Sequence, residues 1–419
     1  MRLLTKLIFF PILVSLFNCS PKERQVLQLN GTVINSETKS ILLLKPNQDS
    51  RFDSLIEIPV KNGTFHYTEQ LKNPEVVNLA FAESVKKGAF RPMRVFLENE
   101  NIDLTIYPEE EFDKNVVEGG SLNAEYKNYQ QNLKNRFFER IKPLNDSISA
   151  LHINYEYNSD KVRVLYDKLQ EIKNQEQKIV VYKKIDELRK VNQHLSPKAQ
   201  ILEEKLKSIY DEINKFQQEY IENNPTIVSY SFLLENLIYY KETLDVNSTK
   251  NAYSVLSKAN PDHPYNDLAF SLINAIENVK VGKKYIDFSA PDLNGNEVKL
   301  SDKIDGKVAL LDLWATWCSP CIANSRKMVP VFEEFKDKGF TIVGVAGEFK
   351  NTTRLIEFLE KEKWHWLNLV ELDRKNGIWQ KYGVDGGGGG MFLIDDNGII
   401  LAKDPTAEEA KQILESRLN

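Results

Sequence analysis

The chain has 419 residues, room for two or three domains with ample buried core, and its 55 lysines and arginines against 60 aspartates and glutamates leave a net charge of -5. That balance argues against nucleic acid as a partner. Cysteine is scarce, with only Cys19, Cys318 and Cys321 present.

The first residues read as an export signal over 1–18: Arg2 and Lys6 supply the basic start and 7–17 the apolar stretch, which is too short to span a bilayer. Leu16-Phe17-Asn18-Cys19 resembles a bacterial lipobox, in which cleavage leaves the cysteine as the lipid-modified first residue. Phe17 and Asn18 are larger than the residues usual there, so the match is partial. An ordinary secreted protein with a free cysteine near its cleavage site is the competing reading. No later segment approaches the roughly 18 consecutive apolar residues of a second crossing. Lipidated Cys19 would then be the sole anchor, and Cys318 and Cys321 the only thiols.

Residues 19–120 are expected to form an all-β domain. Short apolar runs at 26–29, 41–44, 55–60, 64–67, 76–81, 93–97 and 102–106 alternate with the turn signals Asn30-Gly31, Pro46-Asn47 and Asn62-Gly63, a spacing that predicts a small antiparallel sandwich or barrel. No catalytic cluster appears in it. Residues 121–280 change to an all-α texture of long polar helices rich in Lys, Glu, Gln and Asn. Leu202, Leu206, Ile209, Ile213, Phe216 and Tyr220 fall on one helical stripe, and Leu165, Leu169 and Ile172 begin another upstream. The two helices are expected to pair as a hairpin, the stripe serving internal packing rather than a dimer seam. Asn223-Asn224-Pro225 ends the second of them, and further helices start within 227–240 and 252–256.

Residues 281–419 carry the chemistry. Their order reads strand 308–314, helix 320–336, strand 340–346, helix 352–362, strands 391–394 and 399–402 joined by the hairpin turn Asp396-Asn397-Gly398, and a final helix 407–418. That order is the α/β thioredoxin layout. Its first strand delivers the chain into Trp317-Cys318-Ser319-Pro320-Cys321-Ile322, after which the pattern turns helical. A strand running into Cys-x-x-Cys at a helix start is the context in which the motif means redox chemistry. A structural zinc site would need two more ligands, and the five histidines (His66, His152, His194, His263, His365) are scattered without ligand spacing, so no metal and no cofactor is expected. A purely structural disulfide fits poorly, because closing so short a loop gains little chain entropy.

At Asp287-Phe288-Ser289-Ala290-Pro291-Asp292-Leu293-Asn294-Gly295, Trp314-Ala315-Thr316-Trp317-Cys318-Ser319-Pro320-Cys321 and Phe392-Leu393-Ile394-Asp395 the sequence resembles the TlpA/ResA-like membrane-anchored thiol-disulfide oxidoreductases, in the form found in Bacteroidetes-type lipoproteins. The β-rich and helical regions look like the accessory domains such lipoproteins often carry. The resemblance implies an enzyme that reduces disulfides of extracytoplasmic proteins through a redox-active pair. It also implies a lipid anchor, a place in the cell envelope facing the periplasm or the surface, and a membrane or periplasmic thiol partner that exchanges electrons with the pair.

Two departures from that family matter. Its members commonly place a carboxylate three residues after the second cysteine, where this chain has Asn324; thioredoxins instead bury an aspartate six residues before the first cysteine, and Asp312 sits there. A lone carboxylate in an apolar strand should have a raised pKa and could exchange the proton of the buried thiol, unless its hydrogen bonds are simply met locally. These folds also carry a cis-proline shortly before the Phe-Leu-Ile-Asp strand, where its backbone faces the cysteines and pairs with the incoming peptide. Here the loop is Asp385-Gly386-Gly387-Gly388-Gly389-Gly390-Met391, with Gly389 in the proline's place. A cis bond without proline costs about 2.5 to 4 kcal/mol, so the loop is expected to be trans and mobile, with altered substrate docking.

Cys318, expected to be the more exposed cysteine at the helix N-terminus, is the candidate nucleophile, since the helix dipole and amides favour its thiolate. Cys321 would resolve the mixed disulfide. Pro320 suits the first helical turn, Trp317 is expected to cover the site, and both join Gly389 as candidate substrate-binding residues. The direction of electron flow stays open. Two rival functions remain, a peroxiredoxin-like peroxide reductase and a non-catalytic envelope binding lipoprotein. Thr316 precedes Cys318 by two residues, which misses the Thr-x-x-Cys spacing of the first rival.

Overall fold

The computed structural model describes residues 26–418 apart from 36, 51–52, 89 and 385–387, so the export segment and Cys19 lie outside the described residues. Buried and outward side chains alternate along β1 (Leu27–Val33), the signature of a strand with one face in a core. With β4 (Thr64–Glu69), β7 (Asn101–Ile106) and β8 (Val116–Glu118) it forms one four-stranded sheet in the order β4-β1-β7-β8. The second sheet, β3-β2-β5-β6, is built from β2 (Ser40–Leu44), β3 (Ile56–Pro59), β5 (Glu75–Phe81) and β6 (Met93–Leu97), with the short helix α1 (Ala82–Lys86) after β5. Leu29, Ile41, Leu79, Val95 and Ile102 fill the space between the sheets. The sandwich is not purely antiparallel as expected: β1 and β7 pair in parallel, Leu29 opposite Ile102. Strand β4 already occupies the other side of β1 in antiparallel register, and the chain re-enters this sheet from the second one running in β1's direction.

The helical region begins with α2 (Ser121–Leu133), which passes through the π-helical turn Lys134–Phe138 into α3 (Glu139–Ile153). There follow α4 (Asp160–Glu171), α5 (Gln175–Lys190), α6 (Pro197–Asn223), α7 (Ile227–Tyr239), α8 (Val246–Ala259) and α9 (Tyr265–Asn278). Ser196 starts α6 by accepting from the Ala199 amide, with Pro197 in the first turn where its missing N–H is harmless. The expected hairpin of α4 with α6 does not form. Helix α4 packs on α5 through Val162, Leu169, Val181 and Ile185, while Leu206 and Ile209 of α6 meet Phe137 and Ile141. The Lys- and Gln-rich segment of α5 carries its own apolar stripe, which its polarity disguises, and the short link from α4 makes those two helices neighbours. Helix α7 is buried continuously from Ile227 to Leu234 and packs with Val76 and Phe96 of the sandwich. Beside it the Tyr265 hydroxyl accepts from the Val76 amide at 2.9 Å and a His263 ring nitrogen lies 2.7 Å from Pro74 O, joining the two regions.

The last region opens with β9 (Ser289–Pro291), β10 (Glu297–Lys299) and α10 (Ser301–Ile304), then builds the sheet β13-β12-β11-β14-β15. Its strands are β11 (Val308–Trp314), β12 (Phe340–Glu348), β13 (Leu367–Leu372), β14 (Gly390–Ile394) and β15 (Ile400–Lys403); its helices are α11 (Ser319–Phe335), α12 (Thr353–Glu362), α13 (Ile378–Lys381) and α14 (Ala407–Leu418). The central strand β11 is buried at every position, parallel to β12 and antiparallel to β14. Helix α11 lies between α12 and α14, linked to them by Arg326–Glu362 at 2.6 Å and Glu334–Lys411 at 2.8 Å. The layout is the thioredoxin one, with β9, β10, α10, β13 and α13 added to the expected elements. Strand β13 escaped the sequence pattern because Asn368 and Glu371 interrupt its apolar run; both are buried, Asn368 accepting from the Trp314 indole at 3.0 Å.

Candidate active site

The central strand β11 ends at Trp314 and the chain turns through Thr316 and Trp317 so that Cys318 becomes the N-cap of α11. Cys318 and Cys321 are joined as a disulfide with Cα atoms 5.3 Å apart. Each sulfur accepts one backbone amide: Cys321 N–H donates to Cys318 Sγ at 3.3 Å, and Gly389 N–H donates to Cys321 Sγ at 3.0 Å. The first is the helix-terminus donor that a thiolate at Cys318 would use. The expected difference in exposure is not seen, since Cys318 is 4% and Cys321 7% exposed. Ser319 and Pro320 form the exposed rim, and Asn324 points outward on α11.

Gly389 stands where the resemblance places a cis-proline, and no cis peptide bond occurs among the described residues. The position tolerates nothing larger: a Cβ there would lie 1.9 Å from Leu313 O and 2.8 Å from Cys321 Sγ. Its backbone is therefore pressed against β11 rather than free, and its amide makes a bond to sulfur that proline, lacking the N–H, could not make.

Asp312 is 2% exposed, and burial pushes its carboxyl up to about 7, opposed by a hydrogen bond from Ser325. The Ser325 hydroxyl lies 2.6 Å from Asp312 Oδ2 and 3.0 Å from Cys321 O. One hydroxyl hydrogen cannot serve both acceptors. A proton on Asp312 settles the conflict, because the carboxylic O–H then donates to Ser325 Oγ and the Ser325 hydrogen goes to Cys321 O. Asp312 is thus linked through Ser325, which sequence reasoning missed, to the backbone carbonyl of Cys321. Its signal was its place one helical turn after Cys321, on the same face of α11.

A second buried carboxylate was also missed. Glu348, 5% exposed at the end of β12, accepts from Thr316 N at 2.7 Å and Thr316 Oγ1 at 2.9 Å, while Arg354 donates to Thr316 O at 3.0 Å. Burial raises its pKa and the Thr316 donors oppose that. The two side chains clamp the turn before Cys318. Trp317 donates its indole N–H to Gly347 O at 2.9 Å and packs between Phe349 and Trp379, with ring centroids 5.9 and 5.8 Å away. Trp379 is fixed in turn by Glu371, which accepts from the Ile378 and Trp379 amides at 2.7 and 3.1 Å at the start of α13. The arrangement offers a two-electron dithiol–disulfide couple whose sulfurs face preset amide donors, with a carboxyl nearby that changes charge near neutral pH.

Residues 281–403 match the family described as AhpC/TSA, and residues 27–126 match a domain of unknown function, DUF4369. The thiol-disulfide oxidoreductase ResA of Geobacillus thermodenitrificans is 34% identical over 142 residues, covering 33% of this chain and 78% of that protein. ResA of Geobacillus kaustophilus is 33% identical over 142 residues, with the same 33% and 78% coverage. Among solved structures, the thioredoxin domain of a thiol-disulfide oxidoreductase from Bacteroides vulgatus is 28% identical, covers 33% of this chain and 99% of its own, and has a TM-score of 0.31.

Proposed function

The chain belongs, through its C-terminal region, to the ResA thiol-disulfide oxidoreductases, and from that premise we propose that it is a membrane-anchored enzyme that reduces disulfides of extracytoplasmic proteins. The observation that carries the reading is the Cys318–Cys321 pair at the N-terminus of α11 with an amide on each sulfur. In the reduced enzyme the Cys318 thiolate attacks one sulfur of a substrate disulfide, forming a mixed disulfide and releasing the other sulfur as a thiolate. Cys321 gives up its proton, for which the ionised form of Asp312 is the proposed acceptor, and attacks Cys318 Sγ; the substrate sulfur bonded to Cys318 leaves as a thiolate, and the intramolecular disulfide re-forms. The two electrons gained by the substrate are restored to the pair by a membrane or periplasmic dithiol partner. Trp317, Pro320 and Gly389 line the approach of the substrate.

Replacing Cys321→Ser removes the resolving thiol and keeps the nucleophile. It should accumulate substrates as mixed disulfides on Cys318, and their absence from cells expressing that variant would count against the reading. Thr316 Oγ1 is committed to Glu348, which weighs against the peroxide-reductase alternative. A pair inert in dithiothreitol-coupled insulin reduction would favour the binding-protein alternative. Among the described residues no helix is long and apolar enough to cross a membrane. We propose Cys19, at the end of the export segment, as the anchor, tested by fatty-acid labelling that Cys19→Ala abolishes.

A further inference from the structure

The peptide unit between Gly383 and Val384 is held at both of its polar groups. Its carbonyl accepts from Lys241 Nζ at 2.8 Å, and its N–H donates to Trp379 O at 2.9 Å. Lys241 opens the short turn Lys241–Thr243 that follows α7, so the first of these bonds crosses from the helical region to the thioredoxin-like one. A lysine is most often left in water, whereas this one is half-buried and makes a charge-assisted bond to a backbone carbonyl. Helix α9 closes on the same point: a Cβ on Gly383 would lie 3.5 Å from Ala275 Cβ, and the left-handed backbone there, with φ of 65°, is one that glycine adopts without strain. From this peptide two short routes lead to the redox pair. Trp379 packs on Trp317, the residue before Cys318, with ring centroids 5.8 Å apart. Val384 abuts Gly390, where a Cβ would lie 3.0 Å from Val384 Cγ2. Gly390 opens β14 opposite Leu313 of β11, and its neighbour Gly389 gives its N–H to Cys321 Sγ at 3.0 Å.

We propose that Lys241 is a positioning residue for the redox pair: it fixes the Gly383–Val384 peptide, Val384 seats Gly390, and the Gly389 amide is thereby kept on Cys321 Sγ. The helical region then helps to set how readily the disulfide is reduced. A disulfide sulfur is a weak acceptor, and the amide gains most when negative charge grows on it, so loosening the amide disfavours the reduced pair. The inference rests on the redox reading of Cys318 and Cys321 and is indifferent to which disulfides they act on.

The test equilibrates the full chain with dithiothreitol. The dithiol supplies the two electrons and two protons that open the Cys318–Cys321 bond to two thiols, and closes to its own cyclic disulfide. Alkylation of the thiols, read by mass, gives the equilibrium constant for reduction. Lys241→Met should lower that constant about threefold, the worth of a weakened hydrogen bond, and Lys241→Arg, which keeps a charged donor, should restore most of it. Lys241→Gln, with a shorter neutral donor, should fall between and serves in place of Lys241→Met if that chain does not fold. In a Gly389→Ala background Lys241→Met should have no further effect, because the amide it positions is already displaced. An undiminished effect in that background would mean that the ammonium acts on the sulfurs through its field alone, and overturns the proposal. So does an equilibrium constant that Lys241→Met leaves unaltered, even if the urea midpoint falls, since Lys241 would then be a structural tie and nothing more. A wild type that reduces no insulin, yet whose equilibrium constant responds as described, would count against the proposed function and uphold this inference.

Discussion

Asp312→Asn keeps the shape of a buried side chain while removing its charge, and the consequence for stability can be worked through. The folded carboxyl titrates near 7 against 3.8 for the free group, because burial penalises the anion. Between those values the native state holds a proton that the unfolded chain has released. Stability therefore falls as pH rises through that window and levels off above about 7, the opposite of a salt-bridged carboxylate. At about 1.36 kcal/mol per pH unit the whole window is worth about 4 kcal/mol. An amide has no such dependence and can still bond Ser325. Measured at about pH 5 and about pH 8, the stability of the variant relative to wild type should rise by about 3 kcal/mol. Urea unfolding of the oxidised chain followed by tryptophan fluorescence is suited to this, because Trp314, Trp317, Trp364, Trp366 and Trp379 are all of the five tryptophans and all belong to the thioredoxin-like region. A wild-type-to-variant difference that is the same at both pH values would refute the assignment of a buried, near-neutral titration to Asp312.

Gly389→Ala forces its new Cβ away from Leu313 O, 1.9 Å distant, and so breaks the amide bond to Cys321 Sγ. In a Cys318→Ser background the Cys321 thiolate then lacks its preset donor, so alkylation of Cys321 at neutral pH should slow severalfold, and an unaltered rate would sink the idea. Glu348→Ala strands the buried N–H and O–H of Thr316, so the urea midpoint should drop by the equivalent of about 2 kcal/mol or more. Fluorescence-monitored unfolding with no such loss would show that the clamp before Cys318 is not structural.

Much of the fold was legible because it is written in periodicity. The apolar runs around Leu29, Ile41 and Val95 announced the sandwich strands, and the run 308–314 into Cys318 announced the site. What stayed hidden depends on partners far along the chain. The α4–α5 pairing turns on Val181 and Ile185 set among lysines, where local polarity outweighs the stripe. Strand β13 was missed because Asn368 and Glu371 are polar for reasons external to the strand: an indole to accept from and a helix start to cap. Asp312 was found by its spacing from Cys318, whereas Ser325, which links it to Cys321, is an ordinary serine until the hydroxyl's two neighbours are seen. For Gly389 the sequence marked the missing proline and suggested mobility. Only the nearness of Leu313 O shows that the glycine is there for lack of space.

The paired amides on the two sulfurs bear on the speed of the reaction as well as its direction. Cys321 N–H and Gly389 N–H already point at sulfur in the oxidised chain. When electrons arrive and negative charge grows on either atom, the dipoles that solvate it are already in position, held by α11 on one side and by contact with β11 on the other. Little reorganisation is left for the moment of exchange. The barrier then lies in bringing a third sulfur into line with Cys318 beneath its rim, so turnover should follow how readily a substrate's disulfide can be presented.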